Sequence, residues 1–224
     1  MKKKAIVIHS GGMDSSICLA LAIKEFGKDD VLSLSFSYQQ RHSNELKQAA
    51  YICRVWEVDH AVIQIDALKE LTDNALINKG MRVEQAEGKP PNTLVTGRNG
   101  LMARLGAIHA DHLGASCIYM GVLGLEGANS GYRDCSREYI DLKEQILRID
   151  LGNPLFEIRT PLVHMTKRET LELANQLGVL DFLLEETITC YEGIPKQGCK
   201  VCPACILRNQ GVEEYYAAKS KFKI

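Results

Sequence analysis

Apolar residues along the chain fall into two patterns. Short unbroken runs, Ala5-Ile6-Val7-Ile8, Val31 to Phe36, Ala61 to Ile65 and Cys117 to Val122, have the length of buried strands. Between them, Ser16 to Phe26 and Asn44 to Trp56 carry apolar residues at helical spacing, and a short helical piece spans Ala67 to Leu71. The order β-α-β-α-β predicts an α/β fold, a parallel sheet with crossover helices on both faces. Periodicity fades from Asn74 to Asn92, where Gly80, Gly88, Pro90 and Pro91 break any long element, so this stretch reads as an irregular loop and a candidate lid. A helix then follows Gly97-Arg98-Asn99-Gly100, from about Leu101 to His112. Beyond the fourth strand, the glycine-rich and polar stretch Leu123 to Ser136 leads to a helix over Arg137 to Leu147 and a short extended segment, Phe156 to Arg159. Thr166 and Glu169 predict a capping box on a helix running to Gln176, with Gly178 ending it.

The turn after the first strand carries the first chemistry. In Ser10-Gly11-Gly12-Met13-Asp14-Ser15-Ser16, two glycines allow tight bending and close approach to a ligand, and three serines offer hydroxyls. The N–H groups opening the next helix point at the same anion, so the stretch reads as a phosphate-gripping turn. It holds no lysine and is therefore not the lysine-bearing loop of kinases and GTPases. Positive charge must come from later segments. Asp14 beside a polyanion either holds a metal ion shared with the phosphates or caps the helix. Ligands of such sheets sit at the carboxyl ends of the strands, which places Ser37 to Ser43 and the loop Leu123 to Ser136 at the same rim.

With 224 residues the chain has room for one well-buried domain and a small appendage, divided as 1–185 and 186–224. Its 27 basic and 28 acidic residues leave a net charge of -1, so no basic face announces nucleic acid. No apolar run approaches membrane-spanning length, and a cytoplasmic protein is expected. Of eight cysteines, Cys18, Cys53, Cys117 and Cys135 are scattered, while Cys190-x8-Cys199-x2-Cys202-x2-Cys205 are clustered. Four thiolates at that spacing, with Gly193, Pro195, Gly198 and Pro203 supplying turns, predict a closed tetrahedral zinc site that is structural and not catalytic. An iron-sulfur run would carry a following C-x3-C-P, which is absent.

The Ser10 loop resembles the pyrophosphate loop of the N-type ATP pyrophosphatase (PP-loop) superfamily, which activates carboxylates or carbonyls by adenylation. Gln40-Arg41-His42-Ser43, Gly97-Arg98-Asn99, Ser130-Gly131-Tyr132 with Asp134-Cys135, Pro161-Leu162 before Thr166-Lys167, Cys190-Tyr191 and the closing cysteines with Arg208 are similar to the 7-cyano-7-deazaguanine synthase family. The resemblance implies a zinc-bearing ligase that uses ATP and Mg2+ to adenylate 7-carboxy-7-deazaguanine, adds ammonia to give the amide, and spends a second ATP to dehydrate it to the nitrile that feeds queuosine. It implies ATP on residues Ser10, Gly11, Gly12, Met13, Asp14, Ser15 and Ser16, and catalytic roles for Asp14, Lys167, Arg208 and Arg98. It further implies substrate contacts from Tyr38, Gln40, Arg41, His42, Asn99, Ser130, Gly131, Tyr132 and Asp134, and a homodimer. Simpler roles stand beside these: Arg98 bracing a turn, Arg208 at the surface, His42 bonding its own loop. Adenylation needs no protein nucleophile, and Cys135 is expected to be a buried small residue.

Two departures bear on the outcome of the reaction. Ser37-Tyr38-Gln39 replaces the family's Asp-Tyr-Gly, and Glu126-Gly127-Ala128-Asn129 with Arg133 replaces a shorter acidic and aromatic stretch with proline. An opened loop would admit a larger nucleophile, so a second reading passes the adenylated acid to another amine, for example on a protein, and stops at an amide. A third is a PP-loop tRNA-modifying enzyme, which the charge balance disfavours.

Overall fold

The computed structural model describes residues 2–38, 43–78, 80–84, 91–124 and 131–221. Gln40, Arg41, His42, Ser130 and the departure at Glu126 to Asn129 lie outside the described residues. The apolar runs form one parallel sheet of β1 (Ala5–Ile8), β2 (Val31–Ser37), β3 (Asp59–Gln64), β4 (Cys117–Met120) and β5 (Glu157–Arg159), in the order β3-β2-β1-β4-β5. β1 lies between β2 and β4, with Ile8 facing Leu34 on one side and Met120 on the other. Strand order reverses there, and the carboxyl end of β1 opens on the crevice where such sheets bind ligands.

Alternate strand residues feed two cores, as the pleat requires. Ile6, Leu34 and Ile118 join one, and Ala5, Val7, Val31 and Cys117 the other. The first is covered by α3 (Ala67–Leu71), α4 (Arg98–Leu113) and α5 (Arg137–Leu151), through Leu68, Ala103, Ala107, Ala110, Ile140 and Leu147. The second is covered by α1 (Met13–Phe26), α2 (Asn44–Val55), α6 (Lys167–Gln176), α7 (Leu180–Glu186) and α8 (Pro203–Lys221). Helices therefore cover both faces, as the periodicity predicts. α8 packs along α6, and its Tyr215 enters the second core.

The Thr166–Glu169 capping box forms as expected. Other bounds moved for tertiary reasons. α4 starts at Arg98, three residues earlier than its apolar pattern, because the Asp134 carboxylate accepts the Asn99 N–H at 3.0 Å and caps the first turn. β4 ends at Met120, because Gly121 passes so close to α1 that a Cβ would lie 2.6 Å from the Ser15 nitrogen. β3 starts at Asp59, whose carboxylate meets Lys3 Nζ at 2.6 Å. α7 has seven residues, too few to carry a periodic signal. Within the candidate lid, Ala75, Leu76 and Ile77 are buried, so that part is anchored in the core and is not a free flap.

Candidate active site

The chain leaves β1 through His9, Ser10, Gly11 and Gly12 and enters α1 at Met13. Gly11 has φ +79°, and a Cβ there would fall 2.3 Å from the Glu45 carbonyl oxygen of α2, so both conformation and contact demand glycine. Ser10 and Ser15 hydroxyls meet at 3.1 Å, and Ser15 Oγ donates to the Gly12 carbonyl at 3.1 Å. Gly12 gives α1 no side-chain cap, so its amino end is open to an anion.

Ser16 faces away from that opening. Its hydroxyl donates to the Gly12 carbonyl at 2.8 Å and lies 3.0 Å from His9 Nε2. The single hydroxyl proton is thus committed, so His9 Nε2 donates to Ser16 and Nδ1 accepts from Ser33 at 2.9 Å. Burial, with a smaller push from His60, lowers the His9 pKa to about 3 and keeps the ring neutral. The loop therefore rests on a buried neutral network, and Met13 packs beneath it in the second core.

A cavity of about 1100 Å³ opens over the loop. Ser10, Asp14 and Ser15 line one end together with Lys167. Lys167 opens α6 and is buried, its ammonium paired with the Asp14 carboxylate, whose side chain is 23% exposed. Gly211 of α8 lies so close that a Cβ would come 2.5 Å from Lys167 Cγ. The sequence groups Arg208 with the phosphate-binding cations. In the structure Arg208 is buried off the cavity wall, donates to the Leu184 carbonyl at 2.9 Å and so ties α8 to α7; its Nε has no partner among the described residues.

The other end is aromatic. Tyr38, Tyr132 and Tyr191 line it with Arg98 and Asn99. Arg98 donates to the Tyr38 hydroxyl at 3.3 Å and lies 5.9 Å from that ring's centroid. Burial opposes its charge, but the three phenols and Asp134 more than offset this. Tyr132 bonds Thr93 at 2.5 Å and Tyr191 at 3.2 Å. Asp134 is buried behind this wall and is not among the lining residues; its Oδ1 has no hydrogen-bond partner among the described residues. Gly131 likewise stands off the lining. Asn99 Nδ2 lies 3.3 Å from Cys135 Sγ, and burial with the Asp134 charge pushes that thiol up to about 12. Cys135 stays protonated and is no nucleophile.

Of the lining residues missing from the sequence reading of the site, three bear on its chemistry or shape. Glu45 faces the cavity from the first turn of α2, and burial pushes its carboxyl up to about 7 against the pull of Arg98. Its place after a strand's carboxyl end was a usable signal. Thr189 presents a buried hydroxyl without a partner among the described residues. Nothing in its sequence surroundings marks it. Gly121, at the end of β4, lets the cavity floor meet α1.

Cys190, Cys199, Cys202 and Cys205 place their Sγ atoms within 4.8 Å of one another. The Cys202 N–H donates to Cys199 Sγ at 3.3 Å and the Glu192 N–H to Cys190 Sγ at 3.4 Å, which suits thiolates. A Cβ on Gly198 would lie 2.3 Å from Cys205 Sγ, so the cradle closes around the sulfurs. Four thiolates with no open position fit a structural Zn2+. This knuckle also builds the cavity: Thr189, Tyr191, Val201, Pro203 and Ala204 line it.

The family described as queuosine biosynthesis protein QueC matches residues 4–216. Among solved structures, the NMN synthetase from Francisella tularensis is 15% identical with TM-score 0.51, covering 100% of this chain and 88% of its own. A 4-thiouridine synthetase solved with RNA and bound ATP is 17% identical with TM-score 0.51, covering 98% of this chain and 53% of its own. These likenesses carry the fold. Among the described residues no helix is long and apolar enough to cross a membrane.

Proposed function

This chain belongs to the QueC family of queuosine biosynthesis proteins, and from that premise we propose that it is an ATP-dependent ligase adenylating 7-carboxy-7-deazaguanine, aminating the adenylate with ammonia and dehydrating the amide to 7-cyano-7-deazaguanine. The observation that carries the reading is one cavity with a phosphate end and an aromatic, arginine-bearing end. At about 1100 Å³ it exceeds the usual range for one small ligand, which suits a nucleotide beside a flat heterocycle.

A carboxylate reacts poorly with amines because oxide would have to leave. Transfer of AMP from ATP replaces that leaving group and releases pyrophosphate, and charge spreads over the phosphates as the bond breaks. The open end of α1, the Ser10 and Ser15 hydroxyls and Lys167 are placed to stabilise it. Asp14 fits Mg2+, since Oδ1 pairs with Lys167 while Oδ2 makes no hydrogen bond among the described residues, and the bound ion would neutralise phosphate charge. Ammonia then displaces AMP to give the amide. A second ATP activates the amide oxygen, AMP departs with that oxygen, and nitrogen sheds its protons to leave the nitrile. Tyr38, Tyr132 and Tyr191 offer faces for the ring, with Arg98 and Asn99 beside it. A homodimer in the cytoplasm belongs to this reading.

A second reading, transfer of the same adenylate to an amine on a protein, is favoured by the rim. Val201 is 77% and Ile206 49% exposed, and both line the cavity, so its mouth is apolar and open. Mass spectrometry of the product from 7-carboxy-7-deazaguanine, ATP, Mg2+ and isotopically labelled ammonia tests both. A labelled nitrile is expected. An unlabelled amide on a protein supports the second reading, and no AMP formation with this acid overturns both.

A further inference from the structure

We propose that Glu45 is the general base of the amine-transfer step, taking the proton that the attacking nitrogen sheds as it bonds to the adenylated carbonyl carbon. This rests on the adenylation reading above. Glu45 stands in the first turn of α2, and its carbonyl oxygen would lie 2.3 Å from a Cβ on Gly11, which fixes the root of its side chain against the phosphate loop. The side chain lines the same cavity as Ser10, Asp14 and Lys167 on one side and Tyr38 and Arg98 on the other. An acyl adenylate with its phosphate on the loop and its ring among the tyrosines would carry its acyl carbon along the wall that Glu45 shares with both groups.

Glu84 also lines this wall, and three other candidate proton acceptors there have partners or hold their proton. Asp14 is paired with Lys167, Cys135 holds its proton, and His9 is buried in its serine network. The Glu45 carboxyl makes no hydrogen bond or ion pair among the described residues, and the titratable groups acting on it are Arg98 and Tyr38. A carboxyl raised to about 7 is matched to a base working near neutrality. In the step, the nitrogen–carbon bond forms, AMP leaves with the electron pair of the carbon–oxygen bond, and the proton passes from nitrogen to Glu45 Oε and on to solvent.

The test compares wild type with E45Q in three assays: ATP–pyrophosphate exchange dependent on 7-carboxy-7-deazaguanine, amide formation from ammonia, and capture of the adenylate by hydroxylamine, which attacks without needing a base. In E45Q, exchange and hydroxamate formation are expected to stay within a few-fold of wild type while amide formation falls by about 10²-fold or more. The pH dependence of the wild-type amide rate, rising through about 7, should vanish with it. E45D, which keeps a displaced carboxylate, should recover part of the rate. Amide formation by E45Q at the wild-type rate overturns the proposal. So does a parallel loss of exchange and hydroxamate, which would make Glu45 a binding or structural residue. If wild type itself shows no exchange, the adenylation reading fails; a defect confined to E45Q leaves that reading standing.

Discussion

Replacing Gly11 with alanine probes the joint between the phosphate loop and α2. The new Cβ would sit 2.3 Å from the Glu45 carbonyl oxygen and 2.9 Å from the Ala49 nitrogen, both backbone atoms that no rotamer change can move. The loop and α2 must separate by roughly an ångström to restore ordinary contact, an overpacking cost of about 1–3 kcal/mol. The left-handed φ of +79° adds about 1–2 kcal/mol for any residue with a Cβ. Together these predict a loss of roughly 2–5 kcal/mol, or about 4–20 °C in Tm for a chain of this size. A matched control separates the two causes. Gly114 also has a positive φ, +75°, but nothing lies within 4 Å of its Cβ position, so Gly114→Ala should show the conformational cost alone. Thermal unfolding gives the stabilities, and substrate-dependent ATP–pyrophosphate exchange gives the functional effect, which should fall by about tenfold or more for Gly11→Ala because the phosphate loop is displaced from the nucleotide. If Gly11→Ala is no more destabilised than Gly114→Ala and keeps its exchange rate, the apposition of loop and α2 is refuted.

Three further outcomes follow from the same geometry. His9 is neutral and buried with its pKa at about 3, below the unfolded value of 6.5, so the unfolded chain binds the extra proton first and stability is lost as pH falls from about 6.5 towards about 3. Between pH 6.5 and 4.5 this amounts to on the order of 2–3 kcal/mol, read from urea midpoints and flattened in a His9→Asn variant. Removing the metal by chelation, or Cys202→Ser, should lower both Tm and ATP–pyrophosphate exchange, because the cysteine knuckle forms a cavity wall; unchanged exchange in a metal-free sample would contradict that coupling. Thr189→Val replaces an unpartnered buried hydroxyl with an isosteric methyl, so stability should hold within about 1 kcal/mol while KM for ATP or the acid rises. A KM that does not move for either ligand would remove Thr189 from the site.

The sequence by itself determined what local pattern can encode. Strand-length apolar runs, the Gly-Gly turn before α1, the Thr166–Glu169 box and the cysteine spacing each depend on neighbours a few residues away, and each has its counterpart in the structure, with strand ends shifted by a residue or two. Tertiary structure alone decided where side chains point. Ser16 turned under the loop to meet His9, which is held in turn by Ser33 of β2. Arg208 turned to the end of α7 instead of the cavity. Lys167 found Asp14 across 153 positions of sequence, and Glu45 became a cavity carboxyl because α2 is pressed against Gly11. The cysteine knuckle, read as an appendage, became a wall of the site. These outcomes rest on contacts between elements far apart in the chain, and a side chain's direction there is set by whichever distant backbone, charge or cavity lies on the other side.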